Sequence, residues 1–221
     1  MTAFVIAMDG EAECVIRHMT ETSESRHFGR RVVIGKLRGK DAAVVVSGVG
    51  KSNAAAATQV ALSLFGPSRI INLGVAGGMR PSMSVGEIYA VESAVEYDFD
   101  LATLNGTEVG TLNERKSPYI PLKVAKDNRL PTAILGTGDR FSDDDTDIPL
   151  LTRLGIGLRD MEGAAIAHVC ETAGVPCLSW KCVSDVHGRE SMTGQYKENL
   201  AHCLSRLSDF VATALPVNAS A

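Results

Sequence analysis

The chain has 221 residues, of which 45% are hydrophobic and 22% charged, with a net charge of −4. That is enough for one large α/β domain with a sizeable core, and too apolar for wholesale disorder. The largest basic cluster is Arg30-Arg31, so a nucleic-acid grip is excluded, and no apolar run reaches the roughly 20 residues a membrane span needs.

The opening "AFVIAMDG" is a continuous apolar run ending in Asp-Gly, the pattern of a strand buried on both faces. It lacks a basic leader and is followed by acids, so it reads as a strand rather than a signal peptide. A helix is expected over residues 11–19, then a hairpin in "RRVVIGKLRGKDAAVVVSG" around "RGKD". "KSNAAAATQVALSLFG" has the alanine content of a helix, with Gly66-Pro67 as its stop. "RIINLGVAGG" is a second buried strand, and "SVGEIYAVESAVEYDFD" a longer, more polar one. Residues 101–131, with Pro118, Pro121 and Pro131, read as a long excursion. "TAILGTGD" and "IGLRD" are strands, 161–173 is a helix, "VPCLSWKCVSD" is a strand, and "ESMTGQYKENLAHCLSRLSDFVATAL" is the last helix, weakened at Gly194. The alternation of strands and helices without a composition break predicts one domain over 1–215, a mixed central sheet flanked by helices, and a frayed tail over 216–221.

The five cysteines, Cys14, Cys170, Cys177, Cys182 and Cys203, form no CxxC pair, so reduced thiols in a cytoplasmic protein without a metal site are expected. Two glycine-rich stretches invite nucleotide readings and fail them. "SGVGKS" has Val45 where a phosphate-wrapping loop needs its first glycine, and "LGVAGG" does not fit GxGxxG. Ligands of such folds gather at strand carboxyl ends, which here read "MDGE", "SGVGKS", "LGVAGG", "GTGDRF", "RDME" and "VSDVHG".

The acids on those ends are the chemical candidates: Glu11, Glu162 and Asp185. Each has a plain alternative, since acids are common at helix starts. Glu162 is the odd one, a carboxylate inside the apolar "DMEGAAIAHVC", where burial without a partner costs several kcal/mol.

Taken in order, "MDGE", "SGVGK", "INLGVAGG", "GTGDRF", "DMEGAAIAHVC" and "VSDV" resemble the methylthioadenosine/S-adenosylhomocysteine nucleosidases of the purine nucleoside phosphorylase superfamily, with stretches similar to the plant type, over about residues 3–210. The resemblance implies a nucleoside phosphorylase-like fold, adenine release by N-glycosidic hydrolysis, no cofactor, a small nucleoside as substrate and a homodimer. It implies Asp185 as the acid at N7 of the leaving base, oriented by Ser184, and Glu11 as the carboxylate that activates water. It implies Glu162 as the grip on the ribose hydroxyls, which would in turn satisfy its charge. Met8, Val49, Val75 and Met161 match pocket positions, Phe141 the aromatic that stacks on adenine, and the Ser142 backbone the reader of the adenine edge. Leu104 and Tyr119 are candidates to reach a neighbouring subunit's pocket.

Val75 departs from a family position often held by a small hydroxyl, and Arg140, the acids at 143–145 and "HGRE" are also unfamiliar. His187 reads as a loop residue. The superfamily also holds phosphorylases, which bind phosphate with arginines. "MDGEAE" is acidic and Arg69 lies at the wrong end of its strand, which favours water, with Arg80 the residue that could spoil this. The rival of another class is a non-catalytic nucleoside binder, and the retained acids argue against it. The group on the ribose 5′ carbon is left open, futalosine-like nucleosides included.

Overall fold

Every residue of β1 (Thr2–Ile6) is buried, and the strand's alternation serves two cores at once. Ala3 and Val5 point to one side, where alanines of α2 (Lys51–Phe65) and α5 (Gly163–Thr172) pack. Phe4 and Ile6 point to the other, against α1 (Asp9–Ile16) and α6 (Met192–Thr213). The computed structural model of the chain describes residues 1–141 and 143–216. Helices on both faces of a mixed sheet are the architecture expected from the alternating pattern.

The remaining strands are β2 (Met19–His27), β3 (Arg30–Leu37), β4 (Lys40–Val46), β5 (Arg69–Gly78), β6 (Ile88–Glu96), β7 (Ile120–Pro121), β8 (Thr132–Thr137), β9 (Ile156–Asp160) and β10 (Cys177–Val186). The sheet runs β10-β6-β8-β9-β5-β1-β4-β3-β2, with β10 also paired to β5. Following the pairs from β5 through β10, β6, β8 and β9 returns to β5, so part of the sheet closes on itself and the rest extends as an open wing.

β5 is the shared strand, and its neighbours change along its length. Val5 opposite Asn72 is the last β1 pair, and Gly77 opposite Arg159 is the first β9 pair. Between them β5 keeps β10 as its strand neighbour on one side, and the other side opens. Backbone groups freed there must find other partners. This parting of β1 and β9 makes room for the site.

The hairpin around "RGKD" is found, its turn at Arg38 and Gly39 with φ of 50° and 74°. Gly66 ends α2 in the left-handed region at φ 49°, as the Gly-Pro stop predicts. Other boundaries differ. The first helix starts at Asp9 and ends at Ile16, because Met19 already belongs to β2. β2 itself is not expected: past its buried first residue the strand is polar and nearly all exposed, so no alternation marks it. It is the edge of the sheet, where charge blocks further pairing. The short helices α3 (Ala102–Asn105) and α4 (Ile148–Arg153) also carry too little periodicity to read. The helix expected over 161–173 begins at Gly163, leaving Met161 and Glu162 in the turn before it.

Candidate active site

Three of the strand ends bring their acids to one cavity of about 310 Å³. Glu11 comes from the first turn of α1. Its Oε2 accepts from the backbone N–H of Met8 (3.2 Å), which caps the helix. Its Oε1 accepts from the N–H of Val75 (2.8 Å), in the stretch of β5 that β1 and β9 leave open. Gly74 is required beside it, since a Cβ there would lie 2.5 Å from Glu11 Oε1. Burial pushes the Glu11 carboxyl above its ordinary range, against the Lys181 ammonium and the two N–H donors.

Glu162 enters from the turn between β9 and α5. Its Oε1 accepts from the N–H of Gly50 (2.9 Å), at the N-terminus of α2. The protein therefore supplies part of the satisfaction expected from substrate hydroxyls. Burial, then the charge of Asp160, push its carboxyl up to about 7, with Lys181 and the Gly50 N–H opposing.

Beneath these two acids lies a cation. Lys181 on β10 is buried, and its Nζ is 2.8 Å from Asp160 Oδ2. Asp160 is held in turn by Thr137 Oγ1 (2.5 Å) and the N–H of Gly163 (2.9 Å). Lys181 pairs in register with Gly74, so it shares a sheet face with the Glu11 carboxylate across a residue that has no side chain. Burial opposes the ammonium, but Asp160, Glu162 and Glu11 together outweigh it and hold its pKa up. A buried charge of this kind is tolerable only when paired.

The far end of the cavity is different. Asp185 Oδ1 accepts from Ser184 Oγ (2.6 Å), while Oδ2 is buried and without a hydrogen-bond partner. Burial raises the Asp185 carboxyl, with Ser184 and the Arg159 guanidinium opposing. The walls here include Phe141, 48% exposed, and Tyr196, whose rings meet edge to face at 5.7 Å. The loop carrying Phe141 is tied at both ends. Asp139 accepts from the N–H of Lys51 (2.8 Å), and Asp143 accepts from Ser191 Oγ (3.1 Å) and the N–H of Thr193 (2.9 Å).

Residues 2–216 match the phosphorylase superfamily. A 5′-methylthioadenosine/S-adenosylhomocysteine nucleosidase from Marinomonas sp. is 32% identical over 203 residues, covering 84% of this chain and 85% of the relative. One from Halalkalibacterium halodurans is 33% identical over 197 residues, with 84% and 85% covered. The chain belongs to the phosphorylase superfamily, among its methylthioadenosine/S-adenosylhomocysteine nucleosidases. A solved nucleosidase from Colwellia psychrerythraea in complex with adenine is 28% identical, with a TM-score of 0.85 over 96% of this chain and 95% of that one.

Of the positions that the nucleosidase resemblance picks out, Met8, Glu11, Val49, Val75, Phe141, Met161, Glu162, Ser184 and Asp185 all line the cavity. Ser142 lies outside the described residues, as do residues 217–221 of the expected tail. Val75 contributes its N–H to Glu11 as well as an apolar wall. Arg80 donates to the Gly155 carbonyl (3.2 Å) and does not line the cavity. Tyr119 spends its hydroxyl on the Leu154 carbonyl (3.2 Å) of its own chain. The sequence reading missed Asp160, Lys181, Arg159, Tyr196 and the latching role of Asp143. Asp160 stood inside the strand-end motif "RDME" and Lys181 inside the strand "VPCLSWKCVSD", so both residues were in view, but their pairing across strands was not. Among the described residues, no group of three or more His, Cys, Asp or Glu could hold a metal ion.

Proposed function

We propose that the protein hydrolyses the N-glycosidic bond of 5′-methylthioadenosine, and of S-adenosylhomocysteine, releasing adenine. The observation that carries this reading is Asp185, a buried carboxyl raised by its surroundings with one oxygen unpartnered. A carboxyl raised by burial there holds its proton more firmly than a free aspartate and is placed to pass it to N7 of a departing purine. Glu11, at the open stretch of β5, takes the proton of the attacking water. Glu162 holds the ribose 2′- and 3′-hydroxyls and faces the cationic sugar of the transition state. Phe141 stacks on the base, the Ser142 backbone reads its edge, and Met161 forms an apolar wall. Met8 and Val49 suit a thioether at the 5′ carbon. The curated relatives, named as nucleosidases of these substrates, support the assignment.

Water is the better nucleophile than phosphate because the place for a dianion lies beside Glu11 and Glu162, and the nearby cation Lys181 is committed to Asp160. A binder without catalysis would keep the cost of these buried acids and gain nothing from them. The test is adenine release from methylthioadenosine, S-adenosylhomocysteine and adenosine, with and without phosphate. Release from the thioether substrates in phosphate-free buffer is expected, with free methylthioribose as co-product from methylthioadenosine and free ribosylhomocysteine from S-adenosylhomocysteine. Strict phosphate dependence with a sugar 1-phosphate product would make the protein a phosphorylase.

The protein acts as a homodimer in the cytoplasm. Leu104, 81% exposed, and the exposed part of Tyr119 are the candidates to approach a second subunit's cavity. Five free, buried thiols fit a reducing compartment. Among the described residues no helix is long and apolar enough to cross a membrane. Sedimentation or light scattering tests the dimer, and Leu104→Asp should weaken it.

A further inference from the structure

Tyr196 stands near the start of α6 and lines the cavity. The helix that carries it is held in place along its length. Its start is capped by Ser191, whose Oγ accepts from the N–H of Gly194 (3.1 Å). Further along it lies against α1, where Cys14 Sγ donates to the Leu204 carbonyl (3.2 Å) and His18 Nε2 meets Ser208 Oγ (2.9 Å). The Tyr196 side chain thus reaches from Phe141, whose ring it meets edge to face, to Met8, the residue before α1.

Its hydroxyl donates to Met8 Sδ at 3.6 Å, its hydrogen-bond partner among the described residues. A thioether sulfur is a weak acceptor. Burial raises the Tyr196 phenol, and the charges of Glu11, Asp185 and Glu162 add to that, so the group keeps its proton and stays a donor. A phenylalanine would give the same apolar wall, so packing does not account for the hydroxyl. Met8 belongs to the wall suited to the 5′ substituent of a nucleoside. A substrate seated there brings the atom on its 5′ carbon beside the hydroxyl. In methylthioadenosine that atom is a thioether sulfur, the same kind of acceptor as Met8 Sδ, and in a 5′-oxygen nucleoside it is a stronger one. A hydroxyl hydrogen rotates freely, so the donor can pass from Met8 to the substrate while the ring stays in place.

We propose that Tyr196 is a specificity-determining residue, whose hydroxyl donates to the heteroatom on the 5′ carbon of the bound nucleoside. The inference rests on the nucleosidase reading and names the substrate class that suits it: nucleosides with sulfur or oxygen at that carbon, in preference to 5′-deoxy ones. Met8 Sδ keeps the donor occupied when the substrate brings no acceptor. The discrimination is therefore graded, well short of that of a site whose donor would be left bare.

The test compares 5′-deoxyadenosine, methylthioadenosine and 5′-O-methyladenosine on the intact protein. Adenine release gives kcat/KM for each, and 5′-deoxyadenosine is the reference within every variant. Tyr196→Phe should lower the ratio of 5′-O-methyl to 5′-deoxy by about 3- to 10-fold, the scale of one neutral hydrogen bond, and the ratio of methylthio to 5′-deoxy by less. The loss should fall on KM, since the contact is present both before and during bond cleavage. Met8→Leu conserves volume and removes the competing acceptor. It should move both ratios the other way, because the hydroxyl is then unpaired unless the substrate supplies an acceptor. A wholly structural Tyr196 would slow all three nucleosides alike in the phenylalanine variant, and that result overturns the proposal. A fall of the ratios in Met8→Leu overturns it too. If the wild type releases no adenine from any of the three, the nucleosidase reading fails, and the same ratios taken from calorimetric affinities decide the role of Tyr196 by themselves.

Discussion

The two ends of the cavity use the same residue type in opposite ways. At the sugar end, Glu11 and Glu162 accept backbone N–H bonds and stand above a buried Lys181–Asp160 pair. At the base end, Asp185 has one neighbourly hydroxyl and one buried, unpartnered oxygen. Donors and a nearby cation favour the ionised form, while burial with few donors favours the neutral one. Burial raises the carboxyls at both ends, and what opposes it differs: backbone N–H donors and Lys181 at the sugar end, the Ser184 hydroxyl and the Arg159 guanidinium at the base end.

The largest effects should come from breaking either end at its acid. Glu11→Gln should slow hydrolysis of methylthioadenosine by about 100- to 10,000-fold, the range for acid–base groups, with KM nearly unchanged. Asp185→Asn should cost as much on methylthioadenosine and far less on a riboside whose base leaves readily as an anion. Steady-state kinetics on both substrates checks the contrast. Equal losses by Asp185→Asn on the two would remove the distinction between the ends.

Lys181→Met sharpens the comparison by removing the cation from the sugar end alone. Lys181 lowers the Glu11 carboxyl against burial. Without it, Glu11 protonates at higher pH, so the acidic limb of the kcat/KM profile should move upward by about one pH unit, or ~1.4 kcal/mol. The limb that belongs to Asp185, which has no Lys181 contribution, should stay in place. Lys181→Arg should return the acidic limb toward its original position.

Glu162→Gln should be a smaller effect, and on stability a favourable one. The folded carboxyl is raised from the ordinary 4.5 to about 7. A group raised on folding stabilises below its unfolded value and loses that contribution as pH rises toward the folded one. Wild-type stability should therefore fall between about pH 4.5 and 7, and the glutamine variant should be the more stable above that window by up to about 3 kcal/mol. Thermal melts at the two pH extremes read this directly, and activity should drop in the same variant.

The smallest effect concerns the loop that carries Phe141. Asp143→Ala removes its tie to Ser191 and Thr193 at the start of α6. The base end should loosen, raising KM a few-fold, on the scale of about 1 kcal/mol for a lost hydrogen bond, while kcat and the acidic limb stay as they were.

Much of this contrast is legible in the chain before any coordinates. Apolar runs marked β1, β5 and β10, and the acids at their ends marked Glu11 and Asp185. What could not be read is whatever depends on a neighbour in the sheet. Lys181 in "SWKCVSD" is one polar residue in a strand until its pairing with Gly74 sets it beside Glu11. Arg159 in "IGLRD" is likewise ordinary until Gly77 puts it opposite Asp185. β2 was invisible for a different reason: an exposed edge strand needs charge more than alternation.

The parting of β1 and β9 along β5 has a practical side. The Val75 amide, which a continuous sheet would lock to a neighbouring strand, is tied instead to a side chain that titrates. Its resonance in a nitrogen–proton spectrum should shift as Glu11 gains a proton, and its exchange with solvent deuterium should quicken with it. The resting enzyme thus carries its own indicator of whether the base is charged, readable with no substrate present and no turnover.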